Sequence, residues 1–224
     1  MEIIEKNLIS NNLFYEAKRF SIFRQDVKDY LKKFDKDFDK FTITQHDSYL
    51  GYFTEQVLKE YISSTFDLKN YKLETWADNF DLNKIKDIVY NCKTNVENVK
   101  YVQSYFYDKY DLKLSNNIKE IKIDIKTAET TKTPTNHWNF LYPVVQANQK
   151  NKDLIILCYY VKNTSNLNDL KNIVIAGYMF ENDICNYEII HANQYTIRHT
   201  KSQIDNYNTQ LIDYKDIKTI ENLL

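Results

Sequence analysis

The chain has 224 residues, enough for one domain with a sizeable core, and its 43% hydrophobic and 27% charged residues exclude a disordered chain. With 30 basic against 31 acidic residues the formal net charge is −1, so any DNA-binding surface has to come from local arrangement rather than a global field. Cys92, Cys158 and Cys185 lie far apart without CxxC or Cys/His spacing, which argues for reduced thiols and against a zinc site. The start carries no apolar leader, and the longest apolar run, 154–161, is too short to cross a bilayer, so a cytoplasmic protein with no membrane partner is expected.

In chain order, residues 13–34 place Phe20, Phe23, Val27, Tyr30, Leu31 and Phe34 at the spacing of an amphipathic helix. A polar connection follows, with a short strand expected at 41–44. The stretch 49–66 repeats the helical period through Leu50, Phe53, Val57, Leu58 and Tyr61, with Asp47 or Ser48 as its N-cap. "YKLETWA" alternates like a strand, and 79–107 reads as two helices broken near Cys92 and Lys93. "YDLKL", a turn at Ser115-Asn116-Asn117 and "IKEIKIDIKTA" predict a β-hairpin. Beyond a polar loop with Pro134, the run 137–150 is expected to be helical, with Pro143 in its first turn or at a kink. "DLIILCYYVKN" has the continuous apolar pattern of a strand covered on both faces; "NIVIAGYMF" and "NYEIIHA" are further strands, and the end is polar and then helical. The expected class is α/β: a mixed central sheet flanked by helices, with a helical addition at 1–46, a core at 47–180 and a strand and helix at 181–224 in one domain.

Only two glycines occur, Gly51 and Gly177, so each is expected where a side chain would obstruct something; at Gly51 that would be the approach of helix to sheet.

In a strand, Asp124 and Lys126 project to one face while Ile121, Ile123 and Ile125 fill the other. A hairpin edge that shows its charges to water would explain this pattern without any function. Asp111, however, stands thirteen positions earlier, at the same end of the hairpin as Asp124. Two such carboxylates repel unless a cation lies between them, and hard oxygen donors suit Mg²⁺. Glu55, one helical turn after Gly51, could close the site from the side.

These residues resemble the PD-(D/E)xK nucleases, which include many type II restriction endonucleases. The match runs through "GYFTEQVLKEYI" for the acid-bearing helix, "YDLKL" for the first Asp, "IKIDIKTAE" for the second acid and Lys, then "NHWNFLYPVVQANQ", "DLIILCYYV" and "IVIAGYMF" for the following helix and strands. It covers residues 49–180. Tyr110 stands where the motif has proline, and Asp rather than Glu is the second acid.

The resemblance implies a restriction-endonuclease-like αβββαβ core. It also implies a site in which Asp111, Asp124 and the Ile125 carbonyl hold Mg²⁺, or Mn²⁺ in its place, with Glu55 joining directly or through water. Lys126 would position and help deprotonate the attacking water, and hydrolysis would leave a 5′ phosphate. Asp108 is an alternative to Asp111.

Base and phosphate contacts are expected from the polar loops, with Thr127, Lys132, Asn136, His137, His191, Arg198, His199 and Lys201 as candidates. The expected partners are double-stranded DNA, a second copy of the chain joined through residues 13–34, and a companion methyltransferase. Two alternatives stand beside this reading: a structure-specific repair or recombination nuclease, and an inactive DNA-binding protein on the same fold. Retention of a costly cluster of like charges argues against the inactive form.

Overall fold

The computed structural model describes residues 1–34, 43–195, 201 and 204–224. The expected strand at 41–44 therefore falls partly outside the described residues. Nine strands and five α-helices form a mixed α/β arrangement among the described residues. Their order is β1 (Glu2–Glu5), α1 (Asn11–Leu31), α2 (Gln45–Thr65), β2 (Lys72–Thr75), α3 (Leu82–Tyr90), α4 (Val96–Phe106), β3 (Leu112–Ser115) and β4 (Glu120–Thr130). Then come β5 (Asn139–Pro143), α5 (Val144–Ala147), β6 (Leu154–Lys162), β7 (Leu170–Phe180), β8 (Glu188–Ile190) and β9 (Asn206–Gln210).

The main sheet has the order β1-β7-β6-β4-β3-β2. β4 and β6 are parallel, Asp124 lying beside Ile155, and the other pairs are antiparallel. Alternation sorts β6 cleanly. Leu154, Ile156, Cys158 and Tyr160 enter one apolar cluster with Leu50, Phe53, Val57, Leu58 and Ile62 of α2, while Ile155, Leu157, Tyr159 and Val161 enter another on the opposite face. Both faces are thus covered, as the continuous apolar run requires.

The layer on the second face differs from expectation. Residues 137–150 are not one helix: Asn139–Pro143 is a strand, and only Val144–Ala147 turns as a helix. Trp138, Phe140 and Tyr142 recur at every second position, a strand period, and Pro143 then serves as the N-cap of the short helix. β5 joins β9 and β8 in a three-stranded antiparallel sheet that covers this face of β6 through Tyr142 and Tyr207. The chain end likewise is β9 followed by 3₁₀ turns rather than an α-helix.

Helix α1 spans the expected segment, but its apolar face is already used. Phe23, Val27, Tyr30 and Leu31 pack with Ile85, Ile88, Val102 and Tyr105 of α3 and α4, while Leu13 and Ala17 join the α2 cluster. The dimer role expected of residues 13–34 would have to rest on their outer face. Helix α2 is capped by Thr44, with Asp47 as the third residue of a reciprocal capping box, not as the cap itself.

Gly51 is exposed on α2 and a Cβ there would meet nothing within 4 Å, so close approach to the sheet is not its reason. Gly177 does match its expectation. At φ +146° on β7, beside a register shift between Leu157 and Cys158, it passes against the backbone of Lys215, whose carbonyl a Cβ would strike.

A charged cluster between the two sheets as candidate functional site

The hairpin sets two acids side by side. Leu112 pairs with Ile123, and Asp111 N–H donates to the Ile123 carbonyl at 2.9 Å, so Asp111 lies across from Asp124 at the entry to β3. The turn is one residue longer than expected: Ser115 pairs with Glu120, and Asn116 Oδ1 accepts from both Ile118 N–H and Lys119 N–H. Asp111 Oδ2 in turn accepts from Ile125 N–H at 2.5 Å, which fixes the first carboxylate against the strand carrying the second.

β4 lies between β3 and β6, so its charges are not on a sheet edge. Asp124 is only 3% exposed, and its face looks toward β5. Its Oδ2 meets Lys126 Nζ at 2.9 Å and accepts from the Tyr142 hydroxyl at 3.1 Å; its Oδ1 meets Lys152 Nζ at 2.9 Å. The Lys152 side chain is 8% exposed. Lys152 N–H donates to Glu181 Oε2 at 3.2 Å, and Glu181 is itself buried.

The electrostatics follow from this crowding. Burial and the neighbouring Asp124 charge push the Asp111 carboxyl up to about 7. Burial acts on Asp124 in the same direction, but the two ammonium groups overcome it and hold that carboxyl below its ordinary value. Burial would draw the Lys126 ammonium down, yet the surrounding carboxylates, Asp124 first, lift it. Burial and the charge of Asp124 also push the Tyr142 phenol far up, so it stays a donor.

Glu55 stands on α2, which packs on the isoleucine face of β4, so its acidic neighbours are Asp111 and Asp108 rather than Asp124. It is half-buried, accepts from Gln56 Nε2 at 2.8 Å and borders a cavity of about 180 Å³ with Arg24, Lys59, Asp78 and Asp108. Burial and the charges of Asp111 and Asp108 raise its carboxyl well above the usual range. Asp108, the alternative first acid, is committed elsewhere. Arg24 Nη2 binds its Oδ2 at 2.8 Å and the Phe106 carbonyl at 2.6 Å, with the guanidinium 4.3 Å from the Phe106 ring centre. Asp111, not Asp108, is therefore the acid bonded to the Asp124 strand.

Among the described residues no three His, Cys, Asp or Glu side chains are gathered tightly enough to hold a metal ion by themselves. The donors nonetheless suit a hard dication. Two carboxylates come from neighbouring chain segments, Asp111 at the entry to β3 and Asp124 within β4, and both are hard oxygen donors. No protein-family model, curated protein or solved structure matches this chain. No helix among the described residues is long and apolar enough to cross a membrane.

Among the described residues the expected DNA-reading positions do not form one group. Lys132 and His137 line an open cavity of about 650 Å³ together with Glu129, Trp138, Asn139 and Lys162, and Asn136 is exposed beside it. The Thr127 hydroxyl is buried without a partner, and its place in the strand alternation puts it on the Ile125 face, away from Asp124. His191 is exposed, 3.5 Å from Asp205, and Lys201 is exposed in a bridge to Tyr195. Arg198 and His199 lie outside the described residues.

Sequence reasoning missed Tyr142, Lys152 and Glu181. Tyr142 was hidden by the helical reading of its segment. The available signal for Lys152 was its position two residues before the buried strand β6, whose parallel register brings that end to Asp124.

Proposed function

We propose that this protein is a Mg²⁺-dependent endonuclease that hydrolyses phosphodiester bonds in double-stranded DNA at a short sequence and leaves 5′ phosphates, as a type II restriction enzyme does. The observation that carries the reading is the arrangement of Asp111, Asp124 and Lys126: one carboxylate at the entry to β3, bonded to the Ile125 N–H, and a second within the interior strand β4 with an ammonium 2.9 Å away. Mg²⁺, or Mn²⁺ in its place, would be held by Asp111, Asp124 and the Ile125 carbonyl, with Glu55 joining directly or through water. Bound there, the ion supplies charge stabilisation to the phosphoryl oxygens and the leaving oxygen. Asp111, fixed by the Ile125 N–H, presents its carboxylate to the same space as Asp124. Lys126 would orient the attacking water; its ammonium, lifted by the surrounding carboxylates, could take part in deprotonation only where a bound dication offsets those charges. Lys132, Asn136 and His137, past the end of β4, would meet the phosphates or base edges of a duplex lying along that strand. Twofold DNA favours a twofold protein, so a homodimer with one site per strand is part of the proposal, as is a companion methyltransferase.

The test is incubation of a long unmethylated DNA of known sequence with Mg²⁺, beside an EDTA control and the Asp124→Ala and Lys126→Ala variants. Discrete fragments that vanish in all three controls are expected, and sequencing their ends gives the site. Smeared or branch-selective products would replace the restriction reading by a repair nuclease. No cleavage of several DNAs by well-folded protein would overturn nuclease activity.

A further inference from the structure

The metal site proposed above has a difficulty in its own geometry: both oxygens of Asp124 are already taken by cations. Lys126 is explained by a role toward water, but Lys152 is not. Its ammonium holds Oδ1 at 2.9 Å from a nearly enclosed position at the start of β6. A divalent ion arriving at Asp124 would bring like charge against this ammonium at close range, in surroundings that screen poorly.

A second observation says where the ammonium can go. Glu181, 4% exposed at the end of β7, receives the backbone N–H of Lys152 on Oε2, while its Oε1 is buried with no hydrogen-bond partner. A buried carboxylate oxygen without a donor is costly, and such a group calls for an explanation. Its carboxylate is bonded to Lys152's own main chain, well within the span of that residue's side chain. Asp153 locks the local frame: its carbonyl accepts from Glu181 N–H at 3.1 Å, and its carboxylate from Lys122 N–H at 2.7 Å. Only the Lys152 side chain has to move.

We propose that Lys152 is a displaceable counter-ion. It neutralises Asp124 while no metal is bound and transfers to Glu181 Oε1 when a divalent cation binds, so that the Lys152–Glu181 pair sets the metal affinity of the site. Lys152 and Glu181 are positioning residues in this scheme; neither need touch substrate. The inference rests on the metal-site reading of Asp111 and Asp124.

The measurement is Mn²⁺ binding to the full chain without DNA, by calorimetry or by electron paramagnetic resonance of the free ion. The variants are Lys152→Met, Lys152→Arg, Glu181→Gln and the Lys152→Met/Glu181→Gln double variant, each checked for a cooperative melt. Removing the competing charge should tighten binding about tenfold in Lys152→Met, and removing the receiving carboxylate should weaken it about tenfold in Glu181→Gln, the size of an ordinary coupling between sites. Because Glu181 acts through Lys152, the double variant should bind like Lys152→Met alone. Lys152→Arg keeps the charge and should not tighten binding. Should wild type bind Mn²⁺ while Lys152→Met binds equally or more weakly, the counter-ion role fails and the metal site stands. Unchanged binding in Glu181→Gln removes the receiving site. If neither wild type nor Lys152→Met binds Mn²⁺, the metal-site reading itself falls and takes this inference with it.

Discussion

β4 and β6 run side by side in the middle of the main sheet, both interior and parallel to each other, yet they are built from opposite materials. β6 is apolar on both faces up to its last residue, Lys162. β4 is apolar on one face only; on the other it buries Asp124 and leads on to Lys126. Apolar burial stabilises β6 without regard to direction, whereas the charged face of β4 is tolerable only while each charge has a partner in place. The start of β6 meets the interior of β4 where Lys152, just before β6, reaches Asp124. An interior strand with that composition marks a place where the fold accepts electrostatic cost, and the sheet around it supplies rigid support.

The comparison is broken most severely by removing the central acid. Asp124→Ala leaves the nearly enclosed Lys152 ammonium and the half-buried Lys126 ammonium without their shared carboxylate and should destabilise the chelated protein by about 3–5 kcal/mol. On the neighbouring strand, Ile156→Val should cost only about 0.5–1.5 kcal/mol, since a methyl group is lost and no charge is stranded. Urea denaturation of both variants in EDTA checks the order. An Asp124→Ala protein as stable as wild type would mean that the lysines are not paired with Asp124 in solution.

Next in size is a break on the β6 side that involves no charge. Gly177→Ala places a Cβ against the Lys215 carbonyl in a backbone conformation with φ +146°. It should cost about 2 kcal/mol or more in strain, measurable by the same denaturation. A neutral result would show that the crossing at Lys215 yields easily.

The two acids of the site should then respond with opposite signs. Asp111 suffers first from burial and then from the Asp124 charge, so Asp111→Asn, which keeps an acceptor for Ile125 N–H, should stabilise the chelated protein by about 1–2 kcal/mol. The same cost of charge has a pH signature. A carboxyl raised to about 7 in the fold from an ordinary 3.8 takes up a proton more readily folded than unfolded. Its stabilising contribution is complete at low pH and is lost as pH rises through about 7. Glu55, also raised, adds in the same direction, while the depressed Asp124 contributes a loss only below its ordinary value. In EDTA the melting temperature should therefore rise between pH 8 and pH 6, and Asp111→Asn should flatten that slope. A slope of the opposite sign in wild type would refute the upward shift of Asp111.

How much of this was legible in the sequence depended on whether a signal was local. The hairpin and the α2 helix follow from periodicities of two and 3.6, and β6 from an unbroken apolar run. The pairing of Asp111 with Asp124 followed from hairpin symmetry, although the turn proved longer. Residues 137–150 failed because a short apolar stretch with one proline fits helix and strand alike; Trp138, Phe140 and Tyr142 alternate over too few positions to decide between them. β9 failed because Asn206–Gln210 is polar and becomes a strand only through its pairing with β5 and β8. Lys152 and Glu181 carry no motif at all. Lys152 reaches Asp124, and Glu181 reaches Lys152, only through the parallel register of β4 with β6 and the return of β7.

The smallest effect expected comes from the other glycine, and it sharpens the contrast between forced and unforced positions. Gly51 lies on the exposed side of α2, the helix whose opposite face packs against the isoleucines of β4. With nothing within 4 Å of an added Cβ, Gly51→Ala meets no clash and removes the backbone freedom that glycine brings to a helix interior. A gain of about 0.5–1 kcal/mol should follow. Because Glu55 sits one turn along the same helix, the variant also asks whether stiffening α2 disturbs the site. If the apolar packing on β4 already fixes the helix, Mn²⁺ affinity should stay at the wild-type value while the urea midpoint rises. A loss of affinity with the expected gain in stability would instead mean that Glu55 needs movement of α2 to reach the metal, and that the glycine is kept for that freedom.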